Sequence, residues 1–131
     1  MARHTTSTLT EVELEFMQIL WSEDEASPED IQKTLLQKER TLTGGSIRKM
    51  LSILMKKGYV KRVKQGKKHV YSVKVQQDQA NRSMIRELMN RAFGGSASLM
   101  VAALMDSHAV PDKDIEKIEQ LISERKKEAR K

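Results

Sequence analysis

The chain has no cysteine, only two prolines and only six glycines in 131 residues. Without thiols it can form neither disulfides nor thiolate metal sites, so packing and hydrogen bonding must hold the fold. Aromatic residues are scarce too, with one tryptophan, two tyrosines and two phenylalanines. No run of stacking platforms is therefore available for reading single-stranded RNA. No apolar stretch approaches the roughly 20 residues of a membrane helix, and no secretory pattern opens the chain. The expectation is a soluble cytoplasmic protein with no membrane partner.

The most informative absence is local. Residues 40–77 hold 11 basic side chains and no carboxylate, whereas residues 1–39 hold 3 basic against 9 acidic and residues 78–131 hold 10 against 9. The formal net charge of +6 thus conceals a strongly cationic middle. Scattered lysines commonly make no more than a solvated face. An acid-free block of this length is instead what phosphate binding requires, because interspersed carboxylates would repel the same ligand.

Periodicity divides the block into elements. Ile47, Met50, Leu51 and Leu54 recur at i, i+3, i+4 and i+7, the signature of one buried helix face. Lys49, Ser52, Ile53 and Lys56 lie opposite, with Arg48 at the edge. Thr43 is placed to cap this helix and Gly58 to stop it, while Lys56 and Lys57 sit at the negative end of the helix dipole. Tyr59, Val60 and Val63 then lead through a turn at Gln65-Gly66-Lys67-Lys68 to Val70, Tyr71 and Val73. The two tyrosines are expected to face the core.

Upstream, Thr10 and Glu13 form a T-x-x-E capping box, with Leu9 as a staple before it. The helix they open reaches about Trp21 and is apolar on two sides, through Val12, Phe16, Ile19 and Leu20 and through Leu14, Met17 and Trp21. Such a helix is expected to be sandwiched. Ser22 to Ala26 reads as an acidic loop. Ser27-Pro28 restarts a helix whose inner face is expected at Ile31, Leu35 and Leu36. Three short helices followed by a two-stranded hairpin describe a winged helix-turn-helix. The polar residues 1–8 are expected to be disordered.

Past Asp78 the pattern changes. Ala80, Met84, Ile85, Leu88, Met89, Ala92 and Phe93 follow helical spacing up to Gly94-Gly95. Ser96 can cap a helix containing Leu99 to Met105, which is apolar almost all round. A last helix after Pro111 carries Ile115, Ile118, Leu121 and Ile122 as a narrow seam. One chain of this size cannot hide so much apolar surface, and a second copy is the expected cover. The predicted fold is mainly α with a small β-hairpin. A winged helix-turn-helix head over residues 9–76 precedes a helical dimerisation segment with a charged tail over residues 77–131. Met84, Leu88, Phe93, Leu99, Leu104, Ile115, Ile118, Leu121 and Ile122 are its expected contacts.

Catalytic chemistry finds no foothold. His4, His69 and His108 have no partners at metal-ligand spacing. The Gly44-Gly45 and Gly94-Gly95 pairs match no phosphate loop or dinucleotide fingerprint, and no serine sits in a nucleophile elbow. The eight methionines fall mostly at helical apolar positions, where they pack. No enzyme, metal or cofactor is expected.

Double-stranded DNA is the expected partner. Recognition helices enter the major groove by their N-terminal part, which places Ser46, Arg48, Lys49 and Ser52 toward base edges, with Thr43 beside them. Lys56 and Lys57 would meet phosphate, and Arg62, Lys64, Lys67 and Lys68 would line the hairpin along the backbone. Two readings of Ile53 stand, contact with a thymine methyl or packing against a neighbouring element. The same cations would also suit an acidic protein partner, so a winged-helix interaction module is the alternative reading.

The order of these motifs resembles the penicillinase-repressor family of bacterial winged-helix regulators. The resemblance rests on Leu9-Thr10-Glu11 with Met17, Ile19, Leu20 and Trp21; on Ser46-Ile47 with Met50-Leu51 and Leu54; and on Lys57-Gly58-Tyr59-Val60, Gly66-Lys67 and Val70-Tyr71. Arg91 to Ser96, with Leu99 and Val101, matches the start of that family's dimerisation arm. It implies a homodimeric repressor of a palindromic operator. Where the family usually has Thr-Val, a later Thr and then Arg, this chain has Ser46-Ile47, Lys49 and Ile53, so the family's operator sequence does not carry over. The cysteine cluster of copper-responsive members is absent. β-Lactam-responsive members are released by proteolysis within the arm, which implies an inducing protease acting near Met100 to Leu104 here.

Overall fold

The computed structural model describes residues 8–130. The disorder expected for the first eight residues thus lies outside the description, apart from Thr8. Two compact units divide between Glu87 and Leu88.

In the first unit, helix α1 spans Glu11–Glu23 and opens on the expected box, with the Thr10 Oγ1 accepting from the Glu13 N–H and the Glu13 carboxylate accepting from the Thr10 N–H. Helix α2, Pro28–Gln37, repeats the device with Ser27 and Asp30, and Pro28 supplies a preset φ in its first turn. The Ser27 backbone and hydroxyl hold the Asp30 carboxyl below its ordinary pKa. Helix α3, Gly44–Lys56, begins where the Thr43 hydroxyl accepts from the Ser46 N–H. Its end is a Schellman motif, since the Tyr59 N–H reaches the Leu54 carbonyl and the Gly58 N–H the Met55 carbonyl. Gly58 holds φ at +85°, a conformation a side chain would resist.

Strands β2, Val60–Gln65, and β3, Lys68–Val73, pair antiparallel from Val60↔Val73 to Gln65↔Lys68, around a turn in which Gly66 takes φ +64°. The stretch read as an acidic loop is partly a strand. Glu25–Ala26 forms β1 and pairs with β3 through Glu25↔Ser72 and Ala26↔Tyr71, giving a three-stranded sheet of order β1-β3-β2. Two residues carry no period for a pattern to detect, and the pairing depends on a strand distant in sequence.

The core joins Phe16, Met17, Ile19 and Leu20 of α1 to Ile31 and Leu35 of α2, Ile47, Leu51 and Leu54 of α3, and Tyr59, Val60 and Tyr71 of the sheet region. Both tyrosines face inward as expected, and burial raises the pKa of the Tyr59 phenol. The Trp21 indole N–H donates to the Val75 carbonyl at 2.9 Å, and Val75 and Ala80 complete the cluster. Leu36, expected on the inner face of α2, is 60% exposed. It lies about 100° around the helix from Leu35 and about 140° from Ile31, outside the stripe those two define.

Helix α4, Gln77–Ala92, contains the boundary between the units. The second unit continues with α5, Ala97–Asp106, capped by the Ser96 hydroxyl on the Leu99 N–H, and α6, Asp112–Ala129. No residue of α5 or α6 is buried within the single chain. Among the described residues no helix is long and apolar enough to cross a membrane.

Candidate nucleic-acid interface

The 11 cations of the acid-free block have two separate fates. Arg40 meets Glu15 through both ends of its guanidinium, Nε to Oε2 at 2.9 Å and Nη2 to Oε1 at 2.8 Å. The ordinary pKa of the Glu15 carboxyl is lowered by that bond, and that of Arg40 is raised. Lys57 Nζ lies 2.6 Å from the buried Glu13 carboxylate and 3.3 Å from the Thr8 carbonyl. Burial acts to raise the Glu13 pKa, but the hydrogen bonds from Lys57 and the Thr10 N–H outweigh it and leave it lowered. Lys57, expected on phosphate, is thus held internally; the sequence offers no local sign of a carboxylate waiting on α1.

The other nine cations, Arg48, Lys49, Lys56, Lys61, Arg62, Lys64, Lys67, Lys68 and Lys74, are exposed, and none enters an ion pair among the described residues. Nine such cations, free of ion pairs and concentrated in one stretch of a small unit, leave a positive field over that surface.

Four of them converge. A cleft of about 450 Å³ is lined by Arg48 of α3, by Arg62, Lys67, Lys68, His69 and Tyr71 of the hairpin, and by Pro28 and Glu29 at the start of α2. The pairing explains part of this geometry. Arg62 is opposite Tyr71 and Lys64 opposite His69, and directly paired residues share one face of a sheet. A Cβ at Gly44 would lie 3.3 Å from Arg48 Nη1, a contact that a small shift of the guanidinium would relieve.

The other expected contacts lie outside the cleft. Lys49 and Lys56 are exposed on α3, Ser52 is half-buried, and Lys64 is exposed on β2. Thr43 and Ser46 are exposed but already engaged with each other, Oγ1 to Oγ at 3.0 Å, in addition to the cap. Ile53 is half-buried. Sequence reasoning missed Glu29 and His69 as cleft residues. Neither has a periodic or motif signal; the fold alone brings the start of α2 beside the hairpin. Among the described residues no group of His, Cys, Asp or Glu could hold a metal ion.

Comparison with known proteins agrees with this architecture. The sequence profile described as Penicillinase repressor matches residues 9–124. The penicillinase repressor of Bacillus licheniformis is 25% identical over 118 residues, covering 90% of this chain and 91% of the relative. A Latilactobacillus sakei protein described as an uncharacterized 16.5 kDa protein in the ptsI 3' region is 29% identical over 118 residues, covering 90% and 80%. Among solved structures, the DNA-binding domain of the repressor BlaI superposes with a TM-score of 0.50 at 26% identity, over 60% of this chain and 93% of that domain.

Proposed function

We propose that this chain, which belongs to the penicillinase repressor family, is a homodimeric transcriptional repressor that holds a palindromic DNA operator. The observation that carries the reading is the cleft in which Arg48 of a winged-helix α3 meets Arg62, Lys67 and Lys68 of the hairpin, four cations without ion-pair partners among the described residues against the single carboxylate, Glu29, of the lining. In this reading α3 enters the major groove. Arg48 and Lys49 donate to guanine N7 and O6, Ser46 and Ser52 make weaker contacts, and Thr43 holds the helix N-terminus. Lys56, Arg62, Lys64, Lys67 and Lys68 lie along phosphates and supply affinity on any sequence. A protein that covers a promoter in this way represses by occupying it.

A single head offers few base contacts, and the segment 77–131 supplies the second copy. Leu88, Leu99, Leu104, Leu121 and Ile122 are exposed in the isolated chain, while Met84, Phe93, Ile115 and Ile118 are half-buried. Apolar surface of this extent on small helices favours burial between copies. A two-fold dimer then matches an operator of two inverted half-sites about 34 Å, one helical turn, apart. Selection of duplexes from a random-sequence pool by the full chain, with sedimentation of the complex, tests the reading. Enrichment of an inverted repeat bound by two chains is expected. Retention without enrichment, or a single half-site bound by one chain, would overturn it.

A further inference from the structure

The recognition helix α3 is anchored at both flanks by carboxylates of one other helix. Four residues before α3, in the turn that ends α2, Arg40 is gripped by Glu15 in a bidentate fork; just after α3, Lys57 is gripped by Glu13. Glu13 is itself fixed, because its Oε1 also accepts the Thr10 N–H at 2.9 Å within the capping box of α1. The apolar face of α3, through Ile47, Leu51 and Leu54, is fully packed against the core, which sets the helix's approximate crossing angle and axial position. Two directional contacts, one on each flank, restrain both further. Bidentate arginine–carboxylate geometry is especially restrictive.

Stability alone accounts poorly for the outer of the two pairs, Arg40 with Glu15. The Arg40 side chain is 42% exposed and its Glu15 partner 24%, a setting in which an ion pair contributes modestly to folding. Lys57 and Glu13, at 24% and 5%, form a more buried pair. Each pair does withdraw a cation from the surface available to phosphate. From these facts we propose that Glu13 and Glu15 are positioning residues for sequence selection: they set the pose of α3 through Lys57 and Arg40. The inference rests on the reading of α3 as a DNA-reading helix. Hydrogen bonds to base edges tolerate displacements of only a few tenths of an ångström, whereas phosphate contacts from long flexible lysines tolerate more. Loosening the anchors should therefore cost discrimination and spare general affinity.

The test compares affinities of the full chain for the duplex it enriches from a random pool and for random duplex, with thermal melts confirming that each variant is folded at the assay temperature. Glu15→Gln, which keeps the side-chain shape, is expected to lower the affinity ratio about tenfold, the effect of removing one well-made hydrogen-bonded base pairing with a side chain. Its affinity for random duplex should hold or rise. The charge swap Glu15→Arg with Arg40→Glu should recover the ratio. Glu13→Gln is expected to act in the same direction, and if it does not fold, Glu15→Gln carries the test. An unchanged ratio in folded Glu15→Gln, equal losses on both duplexes, or a folded swap that stays at the single variant's level would overturn the inference while leaving DNA binding intact. A parent chain that enriches no duplex would remove the DNA reading and this inference together.

Discussion

Removing the two lysines at the hairpin tip gives the sharpest test of how the cationic surface is used. Lys67 and Lys68 are exposed, both line the cleft, and neither has an ion-pair partner among the described residues, so Lys67→Ala with Lys68→Ala should leave the fold untouched. For every phosphate that the variant no longer neutralises, the slope of log affinity against log salt should flatten by about 0.9. If both lysines touch phosphate, the slope flattens by about 1.8 for one head and by about 3.6 for a two-headed complex. Between about 50 and 200 mM salt, the parent's affinity should then fall about 150-fold more than the variant's for two heads, or about twelvefold more for one. Fluorescence anisotropy titrations over that range, on an inverted repeat and on an isolated half-site, read the slopes directly. A parallel slope would show that the wing does not touch the backbone and would sink the interface drawn around it. A change near 1.8 on the inverted repeat with about 1.8 on the half-site would mean that only one head engages. About 0.9 on the half-site would instead mean that each head uses one of the two lysines.

Further outcomes can be checked on the same protein. Lys49→Ala should relax sequence preference by about 1–3 kcal/mol if it reads a base; equal losses on selected and random duplexes would reassign it to the backbone. Glu39 occupies φ +61° at the end of α2, where its N–H and that of Arg40 close a Schellman motif on Leu36 and Leu35. Glu39→Gly should accordingly raise the urea midpoint, with a gain of about 1 kcal/mol from relief of the left-handed conformation, and a lowered midpoint would contradict it. Acid should destabilise the fold through Glu13, Glu15 and Asp30. Their folded pKa values are depressed, so the unfolded chain binds protons first. The stability they contribute is complete above their ordinary values of 4.5, 4.5 and 3.8 and is lost as pH falls through the lower folded values. Denaturant midpoints that stay flat from neutrality down to about pH 3 would exclude this.

What could be read in advance followed the range of the physics involved. The box at Thr10–Glu13, the Ser27 cap before Pro28 and the glycine stop at Gly58 are decided by neighbours a few residues away, and each formed as its spacing required; the Asp30 half of the second box was not foreseen. Of the expected inward set, Ile47, Leu51 and Leu54 are buried as one helical period requires, while Met50 is only half-buried against the core. Long-range pairing was invisible. Glu13 reads as a cap residue and gives no hint that it also holds Lys57; β1 is a strand only because Tyr71 and Ser72 lie beside it. Leu36 misled because an apolar residue next to Leu35 looks like an extension of the stripe, yet its direction carries it outward. Charge counting found the cationic surface but could not tell which cations were already occupied. Arg40 and Lys57 looked no different from Lys67.

The bond from Trp21 to Val75 has a practical consequence. Trp21 is the chain's one tryptophan, and its indole N–H is held by the backbone two residues before α4 begins. Indole emission responds to hydrogen bonding and to water at the ring, so this side chain is a built-in optical probe of the join between α1 and the run into α4. Its spectrum should change when that join loosens, with no dye attached and no second tryptophan to blur the signal.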